Sequence, residues 1–195
     1  MREIKLPVSE QEIRTLHVGD MVALTGVIMT ARDAAHKYMV EEEAPEVAEV
    51  LREGMIYHCG PVVRKDGETY SFVAAGPTTS IREEPYQATV MKKYRVRGVI
   101  GKGGMEEKTL AACRDLGAVY LSAVGGLATI LARSVKKVLT VHKLKEFGVP
   151  EAMWVIQVER FPAVVTMDSH GHSLHADVLE ASRKQYERLV FGCSK

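Results

Sequence analysis

The sequence predicts an α/β fold with a mixed, partly parallel sheet and glycine-rich turns that lead from strand to helix. The first observation is an alternation that begins near residue 83, where short apolar strands are followed by glycines and then by helix-favouring stretches. This order is typical of β-α-β units, whose strands lie parallel. The second observation is a strand-rich first half with a hairpin, which favours a mixed β/β/α arrangement.

In the first half, a β-branched and apolar run after the Gly19-Asp20 turn predicts a strand at residues 21–29. Helix-favouring residues follow at 31–43, with Arg32 and Asp33 in the first turn. An apolar stretch predicts a strand at 55–58. A hairpin is predicted from the apolar stretches 62–63 and 70–75, which the Lys-Asp-Gly turn at 65–67 connects.

In the second half, the alternation of strand and helix continues to the end of the chain. Strands are predicted at 96–100, 118–123, 154–158 and 164–167. Helices are predicted at 86–94, 105–116, 127–134 and 176–189.

Length and composition indicate a globular protein that forms a single domain over residues 1–195. The chain is 46% hydrophobic and 26% charged, which excludes disordered, collagen-like and coiled-coil classes. Its net charge of +1 argues against a general binder of nucleic acid or of membrane surfaces. No apolar run reaches the roughly 18 residues of a membrane span, and the first residues do not resemble a signal peptide, so we expect a cytoplasmic protein.

The cysteines and histidines do not predict a metal site on this chain. Cys59, Cys113 and Cys193 are too far apart for a disulfide framework, for a CxxC site or for an iron–sulfur cluster held by this chain alone. Three further candidates, at 170, 172 and 175, are histidines without helical ligand spacing, so a polar loop after a strand is favoured over metal binding.

A first motif, Gly101-Lys102-Gly103-Gly104, lies between a predicted strand and a predicted helix. Backbone N–H groups and the lysine could bind an anion there. The motif is not a Walker A loop, because no Ser or Thr follows the lysine. The alternative is a tight turn with a solvated Lys102.

A second motif extends from Gly76 to Arg82 and places Thr78, Thr79 and a serine in succession before the arginine. Several donors could converge on one anionic group. The alternative is a helix cap in which Thr79 or Ser80 is the N-cap and Glu83 completes a capping box.

A third motif is the segment from Thr30 to His36, in which Arg32 and His36 would share one helix face and Asp33 could orient a neighbour. An exposed helix N-terminus with an acidic first turn is the alternative. A fourth cluster, at 57–61, places an imidazole and the Cys59 thiol at a strand end, and a buried structural cysteine explains most of it.

Taken in order, the motifs resemble the β region of the iron–sulfur hydro-lyases, the family of class I fumarase and L-tartrate dehydratase. The resemblance rests on the segments 19–36, 58–61, 76–82, 101–105 and 150–162, and therefore covers most of the chain. A length of 195 residues resembles a separate β subunit more than the fused C-terminal domain of the long class I fumarases. One departure is Glu83, where family members often have Met.

The resemblance implies a swivelling β/β/α domain and a [4Fe–4S] cluster whose cysteine ligands lie on an α subunit. It implies substrate contacts by Arg32, Thr78, Arg82 and Lys102, with Thr78 transferring a proton together with an aspartate of the α region. Possible supporting residues at the same motifs are Asp33, His36, Thr79, Gly101 and Gly103. Binding a small dianion needs about two cationic clamps, which agrees with the two arginines and the lysine.

We therefore expect the β subunit of an iron–sulfur fumarate hydratase of the tricarboxylic acid cycle, paired with an α subunit in an α2β2 assembly. Its substrate would be a C4-dicarboxylate, and it would bind neither nucleic acid nor membrane. The Ala34-Ala35 pair favours fumarase over the alternative, an L-tartrate dehydratase β subunit. A non-catalytic anion-binding module is a further alternative. Nucleotide binding at the glycine motif lacks the acidic residue or hydroxyl that it requires.

Overall fold

The computed structural model describes residues 1–192, so Cys193 lies outside the described range. The strands are β1 (Arg2–Lys5), β2 (Met21–Thr30), β3 (Met55–Tyr57), β4 (Val62–Asp66), β5 (Thr69–Ala74), β6 (Gly98–Gly101), β7 (Val119–Ser122), β8 (Val135–His142) and β9 (Met153–Met167). The helices are α1 (Glu10–Ile13), α2 (Asp33–Glu41), α3 (Pro45–Leu51), a 3-10 helix (Ser80–Glu83), α4 (Glu84–Tyr94), α5 (Glu107–Leu116), α6 (Ala128–Arg133), α7 (Leu144–Phe147) and α8 (Leu174–Phe191). Within residues 1–192, no helix has both the length and the apolar character needed to cross a membrane.

The main sheet is mixed, which confirms the predicted fold class. Strands β1, β2, β3, β6 and β7 are parallel neighbours in that order, and β9 is antiparallel to β2, β7 and β8. Because β9 pairs with both β7 and β2, the order β2-β3-β6-β7-β9 returns to its start and forms a closed ring of strands. The β4-β5 hairpin forms a separate two-stranded sheet.

Side chains alternate between two cores, as the period of a strand requires. Tyr57 and Leu121 point into the first core, together with Trp154 and Phe161 of β9. Their chain neighbours point the other way, as Ile56 does, into a second core beneath α2, α3, α4 and α5. The parallel strands are thus covered on both faces, which explains their continuous apolar sequences.

The strands β2, β6 and β7, the hairpin and most helices lie close to their predicted positions, whereas the strand pattern after residue 134 differs. The chain between 153 and 167 forms one 15-residue strand instead of two, and it passes through Pro162, which pairs with Ala23 of β2. Strand β8 was not predicted because exposed lysines, at 136 and 137, interrupt its apolar pattern. It pairs only with β9, and charges are common on such edge strands.

The helices α4 and α5 are joined by a buried carboxylate. Glu84, in the first turn of α4, accepts hydrogen bonds from the backbone N–H groups of Glu106, Lys108 and Thr109 at 3.0, 3.0 and 3.1 Å. It also accepts one from the Thr109 hydroxyl at 2.7 Å. Since the N-cap of α5 makes no side-chain hydrogen bond of its own, Glu84 caps this helix from outside.

We expect Glu84→Ala to lower the free energy of unfolding by about 2–3 kcal/mol, because it leaves buried donors at the start of α5 without a partner. Urea denaturation followed by circular dichroism measures the change. Glu107→Ala, at an exposed position on α5, is the control. A loss for Glu84→Ala no larger than that of the control would contradict the capping role.

Candidate functional site

The loops that carry the sequence motifs meet at one edge of the sheet. Parallel strands β2, β3 and β6 end at Thr30, Tyr57 and Gly101, and their carboxyl ends face the same side. The segments that follow contain Arg32, His58 and the glycine-rich loop at 101–104. The carboxyl edge of parallel strands is where ligands usually bind in α/β proteins.

The segment that contains Thr78 is hydrogen-bonded between the ends of β3 and β6. Thr78 N donates to the His58 carbonyl at 2.8 Å, and Lys102 N donates to the Thr78 carbonyl at 3.1 Å. Ser80 N returns a hydrogen bond to the Lys102 carbonyl at 3.0 Å. Three motifs that are 20 and 24 residues apart along the chain are therefore fixed side by side.

The hydroxyl of Thr78 is available for a ligand. Thr78 is half-buried, and its Oγ1 atom is shielded from solvent but has no hydrogen-bond partner among residues 1–192. Buried hydroxyls normally have a partner, so such an atom is characteristic of a functional position. The neighbouring Thr79 is exposed and pairs through its backbone with Lys102.

Arg32 lies at the N-cap of α2 and turns its guanidinium toward the end of β3. Its Nη1 atom is 3.2 Å from the Glu151 carboxylate, and its Nε atom is buried without a hydrogen-bond partner in the described chain. A Cβ atom at position 60 would lie 2.7 Å from the same Nη1 atom. Because glycine has no Cβ atom, position 60 leaves room for the Arg32 guanidinium.

Arg82 contacts the first residue of α2, Asp33. Its guanidinium forms an ion pair with the Asp33 carboxylate, while more than half of the side chain remains exposed. Burial works against ionisation of Asp33, but a hydrogen bond from Glu83 and the charges of Arg82 and Arg32 lower the pKa of this carboxyl below its usual value. Asp33 is thus an ionised group between two arginines.

Lys102 is exposed and enters the site through its backbone. No salt bridge from its ammonium is found within residues 1–192. Its aliphatic chain passes Gly125, where a Cβ atom would lie 3.7 Å from Lys102 Cδ. Gly103 follows with a φ of +83° and turns the chain away from β6 toward α5. The structure therefore brings Arg32 and Arg82 together around Asp33, and it places Lys102 beside Thr78.

Beneath these groups lies a buried polar network that the sequence did not reveal. Gln87 Oε1 is 3.0 Å from His36 Nε2 and 2.8 Å from His58 Nε2. Ser80 Oγ is 2.8 Å from His58 Nδ1 and accepts a hydrogen bond from the Tyr120 hydroxyl at 2.9 Å. Burial lowers the pKa of His36, and burial together with the neighbouring imidazole lowers that of His58 well below its ordinary value.

This network corrects one expectation. The capping box of Ser80 and Glu83 is wrong, because the Ser80 hydroxyl contacts the network and Thr79, the N-cap, makes no side-chain hydrogen bond. His36 is fully buried, and its Nδ1 atom is 2.9 Å from the carbonyl oxygen of Arg32, four residues earlier. A Cβ atom at Gly101 would lie 1.8 Å from Ser80 Oγ, so the network requires glycine there.

A cleft of about 740 Å³ lies beside the site and has mostly apolar walls. It is bounded by Ile81, by the start of α5 and by α8, with Met105, Leu110 and Val178 among its lining residues. Arg32, Thr78, Arg82 and Lys102 do not line it. The groups predicted to contact substrate therefore lie on an open edge of the sheet.

The described cysteines are buried, and the histidines that follow β9 contact polar groups of the protein. Burial raises the pKa of the Cys59 and Cys113 thiols to about 12. His172 Nδ1 contacts the Asp168 carboxylate, and His175 Nε2 contacts a threonine hydroxyl, as expected for a polar loop. Residues 1–192 contain no group of three or more His, Cys, Asp or Glu side chains placed to hold a metal ion.

Comparison with known proteins identifies the family of the chain. The family model "Fumarase C-terminus" matches residues 1–178. A putative fumarate hydratase class I of Geobacillus stearothermophilus is 50% identical over 192 residues, which are 96% of this chain but 37% of that protein. The chain therefore spans little more than a third of that relative.

Relatives of similar length are named as beta subunits of L(+)-tartrate dehydratase. A putative L(+)-tartrate dehydratase subunit beta of Methanocaldococcus jannaschii is 41% identical over 184 residues, which are 93% of each chain. The L(+)-tartrate dehydratase subunit beta of Escherichia coli is 36% identical over 172 residues, 88% of this chain and 85% of that one. Because the family model and these relatives cover nearly the whole sequence, the chain belongs to the fumarase C-terminal family of hydro-lyases.

Proposed function

We propose that this chain is the β subunit of an iron–sulfur fumarate hydratase, a single-domain protein of the cytoplasm that interconverts fumarate and L-malate together with an α subunit. The observation that carries the proposal is the grouping of two arginines around Asp33, next to the unpartnered Thr78 hydroxyl, at the carboxyl edge of the sheet. The 50% identity to a protein named putative fumarate hydratase class I supports the choice of substrate.

The charges of the site suit a small dicarboxylate. Arg32 and Arg82 provide two planar guanidinium groups that can each bind a carboxylate in a bidentate manner. Arg82 is more than half exposed and can turn from Asp33 toward a substrate. Lys102 adds a third positive charge beside Thr78. Each charge-assisted hydrogen bond contributes about 1.5–3 kcal/mol, so two clamps suffice to bind and orient the dianion.

A second subunit is needed because the proposed site is incomplete on this chain. The described cysteines, Cys59 and Cys113, are buried and lie 54 residues apart, which is not the spacing of a cluster-binding motif. We propose that the [4Fe–4S] cluster and its ligands lie on the α subunit and that the two subunits assemble as α2β2. The relatives named subunit beta, and the longer class I relative, support this division.

Thr78 is the residue that we assign to proton transfer. In hydration, oxygen bonds to one carbon of the double bond and a proton must reach the adjacent carbon, and the Thr78 hydroxyl would deliver it. The reverse reaction returns the proton to the same oxygen. Since a threonine alkoxide is normally unstable near neutral pH, the proton transfer would need a neighbouring cation and a carboxylate from the α subunit.

L-tartrate is the second candidate substrate. It is favoured by the 93% coverage in both directions with the protein named putative L(+)-tartrate dehydratase subunit beta. The same arginines would bind its two carboxylates, and the substrates differ in the hydroxyls that the α subunit would face.

Anaerobic co-expression of the full chain with its candidate α subunit tests the function. We expect a stable complex that hydrates fumarate, with neither subunit active alone, and a higher kcat/KM for malate than for L-tartrate. A higher value for L-tartrate would assign the protein to tartrate dehydration. Dicarboxylate binding by this chain without association with the α subunit would instead indicate a non-catalytic module.

In the assembled enzyme, we expect Arg82→Ala to raise KM for fumarate about 10- to 100-fold, because one charge-assisted clamp is lost. Steady-state kinetics measure the effect. Arg64→Ala, on the exposed strand β4, is the control and should leave KM unchanged. An unchanged KM in Arg82→Ala would remove this residue from the site.

We expect Thr78→Val to lower kcat about 100- to 10,000-fold with little change in KM, since general acid–base catalysis contributes factors of this size. Thr78→Ser keeps the hydroxyl and should retain most activity. Thr140→Val, at an exposed position on β8, is the control for the loss of a hydroxyl elsewhere. Wild-type turnover in Thr78→Val would show that another group moves the proton.

A further inference from the structure

A buried carboxyl group that the proposed reaction does not use lies directly behind Arg82. Glu83 is 1% exposed, and its carboxyl group lies close enough to that of Asp33 for each to shift the pKa of the other. Glu83 Oε2 and Asp33 Oδ1 are both shielded from solvent, and neither receives a hydrogen bond from a donor among residues 1–192. The only way for two carboxyl groups to satisfy each other is to share a proton between them.

The proton belongs to Glu83. Burial, and then the neighbouring Asp33 carboxylate, raise the pKa of Glu83 to about 8, whereas the pKa of Asp33 is lowered. Glu83 is thus a neutral donor near neutral pH, and Asp33 is an ionised acceptor that also binds Arg82. Two carboxyl groups in contact divide one proton in this way because both cannot ionise without strong repulsion.

The charges around the pair come from three neighbouring elements. Arg82, on the same 3-10 helix, and Arg32, at the start of α2, act on Asp33 from two sides. Burial raises the pKa of Tyr120 of β7, and the nearby Glu83 carboxylate adds to the rise. Two other titratable groups have partners elsewhere, because His36 of α2 belongs to the buried network and Glu84 of α4 caps α5.

We propose that Glu83 is a positioning residue, whose protonated carboxyl donates to Asp33 and so orients the carboxylate that holds the Arg82 guanidinium at the edge of the sheet. The effect on substrate binding rests on the proposed function, whereas the shared proton does not.

A pH dependence follows from the pair. Once Glu83 ionises, two adjacent negative charges face Arg82, and they draw the mobile guanidinium away from a substrate carboxylate. Because the pKa of Glu83 is raised in the folded chain, its contribution to folding stability is full below its ordinary pKa of 4.5. That contribution declines as pH rises and is lost above about 8.

Infrared titration of the purified full chain tests the shared proton without any assay of activity. We expect a carboxylic-acid C=O band at pH 7 that disappears as pH rises through about 8 and that is absent in Glu83→Gln. Between pH 5 and pH 8, the Tm of the wild type should fall by at least about 4 °C more than that of Glu83→Gln. Glu68→Gln, in the exposed hairpin turn, is the control and should behave as the wild type. A wild type without the band, or a band that persists in Glu83→Gln, would overturn the proposal.

Kinetics of the assembled enzyme test the positioning of Arg82. From pH 7 to pH 9, the KM of the wild type for fumarate should rise about tenfold more than that of Glu83→Gln, whose amide donates to Asp33 at every pH. Glu83→Met lacks a donor and should show a raised KM throughout, with kcat within about twofold. Parallel KM profiles in the wild type and Glu83→Gln would overturn the positioning of Arg82. Absence of fumarate turnover in the wild type would count against the proposed function, and the infrared result would still decide the shared proton.

Discussion

The geometry of the candidate site depends on three backbone hydrogen bonds that fix one segment between two strand ends. Thr78 donates to His58, Lys102 donates to Thr78, and Ser80 donates to Lys102. These contacts extend the sheet by a short strand-like segment at the carboxyl edge of β3 and β6. Because they use main-chain atoms, they leave the Thr78 hydroxyl and the Lys102 ammonium free to face a ligand. Arg82 follows directly on the same chain and is placed by the same contacts.

Helix α4 supports this edge from below through two side chains that lie three residues apart. Gln87 contacts both buried imidazoles, His36 and His58, and so connects the segment after β2 with the segment after β3. Glu84 caps α5, which follows the glycine-rich loop after β6. One helix therefore contacts three of the motif loops. In the water-poor interior, losing one of these polar contacts would lower the stability of the fold.

In the site, acidic side chains pair with the arginines and position them. Asp33 and Glu151 each pair with one arginine, while the Arg32 Nε atom and the Thr78 hydroxyl remain without partners in the described chain. Glu83 adds no second charge near neutral pH because it is protonated. The edge thus keeps a positive character, and within residues 1–192 it holds two buried polar atoms, Arg32 Nε and Thr78 Oγ1, that have no partner.

The sequence by itself determined the fold class, the strands with continuous apolar runs such as β2 and β6, and the local motifs that carry Arg32, Thr78, Arg82 and Lys102. These features depend on residues that are neighbours in the sequence, so they can be predicted from it. It could not determine that β8 forms between lysines or that β9 continues through Pro162, because pairing with distant strands outweighs local preference there. Only the tertiary structure decided that Ser80 joins an imidazole instead of capping a helix, and that Glu83 meets Asp33, 50 residues away. Each of these contacts depends on burial and on partners from other elements, and neither is encoded in the spacing of the residues concerned.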